Sequence, residues 1–144
     1  MHEKTNLSSI EIVLGFDFGT KRIGVAVGNS LTKTAQALSV INNTNQKECF
    51  TQIENLISEW QPNLIAVGLP FYPDDAEHPM KIKVKRFGDQ IQDRFKLPLQ
   101  FVDERYTSAL LERDPNYQKR LDSHAAALIS VSYTHLRAHE TLRY

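Results

Sequence analysis

Apolar residues follow two rhythms along this chain. Ile12, Val13, Leu14, Phe16 and Phe18 make a nearly unbroken run that ends at Gly19, the pattern of a strand buried on both faces. After the short turn at Lys21-Arg22, the stretch Ile23-Gly-Val-Ala-Val27 reads as a second strand, closed by Gly28 and Asn29. Two strands this close predict an antiparallel hairpin. Ala35 to Ile41 predicts a third strand in the same meander, and Asn42, Asn43, Thr44 and Asn45 offer helix N-caps. The spacing then changes. Phe50, Ile53, Leu56, Ile57 and Trp60 recur at three- and four-residue steps, an amphipathic helix stopped by Pro62. Leu64 to Leu69 reads as a buried strand and Phe71 to Pro79 as a loop. Val84, Phe87, Ile91 and Phe95 stripe a second long helix, and Leu97 to Val102 reads as a fifth strand running into Asp103-Glu104-Arg105. A short helix follows at Ser108–Glu112, and Asp122 opens a last helix with Ala125, Leu128 and Ile129 inward.

The resulting order is β-β-β-α-β-α-β-α. The long links on either side of the fourth strand are helical crossovers, so those strands should be parallel. The expectation is an α/β domain: a five-stranded mixed sheet, a hairpin and meander followed by parallel strands, with helices on both faces. Residues 1–9 read as a disordered lead-in and 10–130 as the domain. The stretch 131–144, with two histidines and two arginines and little apolar face, falls outside the pattern and resembles a translated cloning adapter, a genuine polar tail being the alternative.

Composition narrows the classes. At 144 residues the chain suits one domain. Seventeen basic and seventeen acidic residues cancel, so any polyanion partner must be recognised by local charge rather than by net charge. A single cysteine, Cys49, allows no internal disulfide. No apolar run nears the roughly 20 residues of a membrane span. A cytoplasmic protein with no membrane partner is the expectation.

Three acids stand out. Asp17 sits between Phe16 and Phe18 inside an apolar strand, where an unpaired charge is costly. It needs a cation, backbone donors or a metal; the plainer alternative is an aspartate capping the hairpin turn. Glu104, next to Asp103 and Arg105, comes at a strand's carboxyl end, where open α/β sheets gather ligands, although surface turns also look like this. Asp122 lies in the first turn of the last helix, where capping alone would explain it. The small Ala125 and Ala126 would let that helix lie close to the sheet and carry Asp122 towards Asp17. Converging carboxylates repel unless a hard cation joins them, and Mg²⁺ or Mn²⁺ suits an all-oxygen set. Two such ions about 4 Å apart support phosphodiester cleavage. Within residues 10–130 the two histidines, His78 and His124, lack zinc-ligand spacing.

These residues occur in segments that resemble a known family. Gly15-Phe-Asp-Phe-Gly-Thr-Lys-Arg-Ile-Gly-Val-Ala-Val-Gly28, Ala66-Val-Gly-Leu-Pro70, Val102-Asp-Glu-Arg-Tyr-Thr-Ser108 and Leu121-Asp-Ser-His-Ala-Ala-Ala127 resemble, in order, the motifs of the YqgF/RuvX family. That family is a branch of the ribonuclease H-like nucleases akin to Holliday-junction resolvases. The resemblance covers about residues 11–130. It implies a ribonuclease H-like fold and a nuclease that trims the 5′ end of pre-16S ribosomal RNA in ribosome assembly. It implies Asp17, Glu104 and Asp122 as metal-binding catalytic acids, with Lys21, Arg22 and Arg105 on the phosphate. The chain departs from the family in several places: Tyr72 stands where an Asn is usual, Asp74-Asp75 where an Asp-Gly turn is usual, the stretch before Asp122 is shorter and less basic, and the last helix is cut short by the tail.

Charge distribution adds a substrate surface. Lys81, Lys83, Lys85, Arg86, Arg94 and Lys96 crowd the second helix, and Lys81, Lys85 and Arg86 are candidate contacts to a phosphate backbone, a solvated helix face being the alternative. No aromatic ladder is evident, although Phe71-Tyr72 offers one stacking platform. The partner is then nucleic acid, as structured or precursor RNA or as branched DNA, bound by a monomer or a homodimer. The rival functions are a Holliday-junction resolvase, which needs two sites related by two-fold symmetry, and a non-catalytic RNA-binding assembly factor. Asp-Phe-Gly-Thr also opens sugar kinases and actin-like proteins, but 144 residues cannot supply two lobes.

Overall fold

A computed structural model of the protein describes residues 11–32, 34–73, 78–105 and 125–129. Five strands form one sheet: β1 (Ile12–Asp17), β2 (Arg22–Asn29), β3 (Thr34–Asn42), β4 (Leu64–Leu69) and β5 (Leu99–Asp103). Their spatial order is β3-β2-β1-β4-β5. β1 pairs antiparallel with β2, and β2 with β3. β1 pairs parallel with β4, and β4 with β5. The mixed sheet expected from the hydrophobic pattern is therefore present, with β1 at the junction of its two halves.

Two helices connect the parallel strands. Helix α1 (Gln46–Trp60) is capped by Asn45, whose side chain accepts the Glu48 N–H at 3.1 Å. It ends where Gln61 turns left-handed and donates to the Ile57 carbonyl, and Pro62 follows. Helix α2 (Pro79–Phe95) starts five residues before its apolar stripe, with proline in its first turn, where no amide donor is needed. His78 is its N-cap: Nδ1 accepts the Met80 N–H at 3.1 Å. The sequence placed Pro79 in the preceding loop; it belongs to the helix.

The sheet separates two apolar layers. Leu14, Phe16, Ile23, Ile65 and Val67 pack with Cys49, Phe50 and Ile53 of α1 and Val84, Phe87 and Ile91 of α2. On the other face Val13, Ala26, Ala66 and Val102 meet Ala125, Ala126, Leu128 and Ile129 of the helical stretch 125–129. Helices thus cover both faces, as the alternation of β1 requires. Contact on the second face is close. A Cβ on Gly15 would fall 2.8 Å from Ile129 Cγ1 and 2.9 Å from the Ala125 carbonyl oxygen. No helix among the described residues is long and apolar enough to cross a membrane. The lead-in, the helix at Ser108–Glu112, the opening of the last helix at Asp122 and the tail lie outside the described residues.

Candidate nuclease site

Because β1, β4 and β5 are parallel, their carboxyl ends share one edge of the sheet. Asp17 is the last residue of β1. Across the hairpin its partner is Gly24, so the position directly opposite it on β2 carries no side chain. β5 ends at Asp103, opposite Leu69 of β4. Glu104 follows immediately, in the first helical turn rather than in the strand. Asp17 and Glu104 line one cavity of about 210 Å³, together with Gly68, Pro70, Tyr72 and Met80. The structure therefore brings together two of the three acids singled out by sequence. The third, Asp122, lies outside the described residues, as does His124; the stretch 125–129 nevertheless rests on Gly15, two residues before Asp17. Larger surface depressions of about 600 and 910 Å³ border α1 and α2, but neither gathers acids from different elements.

Both acids are half-buried. Glu104 is held by the link after β4, its Oε1 accepting the Phe71 N–H at 3.0 Å. Asp103 turns to its neighbour instead. Its Oδ2 accepts from Arg105 Nη2 at 2.6 Å, and its Oδ1 accepts from Arg105 Nε and from the Arg105 backbone N–H at 3.0 and 2.9 Å. That side-chain bonding, opposed by burial and aided by the positive charges of Arg105 and Lys81, holds the Asp103 carboxyl below the usual carboxylate range. The Arg105 guanidinium also lies 3.8 Å above the centre of the Phe71 ring. Arg105, named for phosphate contact, is thus oriented by Asp103 and Phe71. The Asp-x-Arg spacing was the available signal for that clamp.

The cations named from sequence take different stations. Lys21 and Arg22 are exposed at the β1–β2 turn. Asn43 braces that turn, donating from Nδ2 to the Gly19 carbonyl and from its backbone N–H to the Lys21 carbonyl, each at 2.8 Å. Gly19 is required there, since a Cβ would come 2.5 Å from the Arg22 oxygen. The basic residues of α2 do not form one stripe. At about 100° per residue, Lys81 and Lys85 fall on the flank beside Gly88, which abuts Phe101 of β5. Arg86 faces outward, and Arg94 falls on the opposite flank, 4.3 Å over the Phe50 ring of α1. Of these, only Lys81 is half-buried and close enough to Asp103 to act on it.

The donor set suits a hard divalent cation: two carboxylates at one strand edge, with no histidine or cysteine among the described residues that line the cavity. Among the described residues no group of three such side chains forms.

Comparison with known proteins agrees with this architecture. The chain is 51% identical over 120 residues to a protein of Polynucleobacter necessarius subsp. necessarius (strain STIR1), covering 83% of this chain and 82% of that one. It is 46% identical over 129 residues to one of Burkholderia ambifaria (strain MC40-6), covering 84% and 87%. Both carry the name "Putative pre-16S rRNA nuclease". The fold is similar to that of Thermus thermophilus RuvC solved in complex with Holliday junction substrate, with a TM-score of 0.61 at 18% identity over 91% of this chain and 96% of that one. The family model for RuvX, described as Holliday junction resolvase, matches residues 11–134, and the chain belongs to that family.

Proposed function

We propose that this protein is a metal-dependent nuclease that hydrolyses phosphodiester bonds, acting on the 5′ end of pre-16S ribosomal RNA. The observation that carries this reading is the placement of Asp17 and Glu104 on one small cavity at the carboxyl edge of the parallel strands. Relatives at 46–51% identity bear the matching name. Asp17, Glu104 and, by its position in the fourth motif, Asp122 would hold Mg²⁺ or Mn²⁺. Such ions, when bound, activate water and stabilise the leaving oxygen. The rest falls to the chain itself. Lys21 and Arg22 on the braced turn, with Lys81 at the start of α2, offset the charge of an incoming phosphate. Arg105 presents a guanidinium whose angle is fixed by Asp103 and Phe71. The start of α2, where Met80 lines the cavity, adds the positive pole of the helix.

The test is incubation of the full chain with a precursor fragment spanning the 5′ end of 16S RNA, with Mg²⁺ or Mn²⁺. Cleavage is expected, and Asp17→Asn should lower its rate by more than the roughly 10–100-fold typical of outer-shell partners. Undiminished cleavage by Asp17→Asn would remove the assignment. The family description favours a second substrate, a four-way DNA junction; symmetric nicking of a synthetic junction by a dimer would support that reading instead. RNA binding without turnover in any metal would leave an assembly factor.

A further inference from the structure

We propose that Tyr72 is a stacking platform for an unpaired base beside the scissile phosphate, so that the site takes a single strand in preference to a duplex. This rests on the nuclease reading above and names its substrate class. Tyr72 lies on the wall of the same cavity of about 210 Å³ as Asp17 and Glu104. That is smaller than the roughly 300 Å³ at which ordinary ligand pockets begin, which suits part of one strand. The ring is already oriented: His78 stacks on it with centroids 3.6 Å apart and planes within 5°. His78 is in turn fixed by the hydrogen bond that caps α2. A ring held this way gives up little freedom on binding. Next to it, Phe71 lies under Arg105 while its backbone donates to Glu104. The link after β4 therefore brings two aromatic rings to the acids, each in a stacked pair. Aromatic rings recognise base faces, and a base in a duplex has both faces covered by its neighbours.

The experiment measures binding by the full chain in EDTA, separately from cleavage. The probe is a short oligoribonucleotide without self-complementarity, carrying 2-aminopurine at successive positions, with its deoxy counterpart and a matched duplex in parallel. Wild type and Tyr72→Phe should quench the fluorescence at one position, with ribose and deoxyribose alike. Tyr72→Ala and Tyr72→Asn should lose the quenching and bind the single strand about tenfold more weakly, while duplex affinity stays unchanged. Single-strand affinity unaffected by Tyr72→Ala, or an equal loss on duplex, overturns the proposal. The nuclease reading fails on a different result, the absence of metal-dependent cleavage by wild type, whichever way the stacking falls.

Discussion

At the scale of single residues, the acids differ in how their negative charge is satisfied. Asp103 is committed to Arg105 through both of its oxygens. Because its folded pKa is depressed by that bonding, the pair stabilises the protein above the ordinary aspartate value and loses the effect as pH falls through the lowered one. The Arg105 side chain is 56% exposed, so solvent limits the pair to less than about 1 kcal/mol. Asp103→Asn should therefore lower the urea midpoint slightly at neutral pH, and the gap from wild type should narrow below about pH 4. A gap that stays constant into strong acid would contradict this. Asp17 was legible in the sequence because a charge inside an apolar run has few explanations. Glu104 was only half legible, since Asp-Glu-Arg looks the same on any surface turn. The Tyr72–His78 stack left no local pattern, because the five residues between the partners follow neither helical nor strand periodicity.

At the scale of elements, periodicity located all five strands and both long helices, missing mainly their ends. β4 matched the expected Leu64 to Leu69 because buried parallel strands read as unbroken apolar runs. α2 began earlier than its stripe because proline at the first position and a histidine cap are not apolar signals. The sequence grouped six bases within sixteen residues, but helical rotation spreads them around α2. Glycines on β1 and β2 make a paired prediction. Gly15→Ala drives a methyl into Ile129 and the Ala125 carbonyl and should cost about 1–3 kcal/mol. Gly24→Ala meets only the Asp17 Cβ, at 3.6 Å, and should change stability by no more than about 1 kcal/mol. Urea unfolding of the two variants should separate them clearly. Equal midpoints would mean that the stretch 125–129 does not seat on β1.

At the scale of the molecule, zero net charge and divided basic residues limit how much of the binding is electrostatic. If Lys21, Arg22, Lys81 and Arg105 supply the phosphate contacts, the slope of log affinity against log salt for a single strand should be about −3. Anisotropy titrations across a range of salt read that slope directly. A much steeper value would mean that the outer bases of α2 also track the strand.

The central place of β1 carries a consequence for when this site comes into being. Its antiparallel neighbour follows within a few residues, so the hairpin can form as soon as the first strands leave the ribosome. Its parallel neighbour arrives only after α1, and Glu104 only after β4, α2 and β5 have been added. These late pairings bridge long stretches of chain and are the slow part of folding. The two carboxylates therefore stay apart through most of synthesis, and the cavity they line is assembled among the last events in the making of the protein.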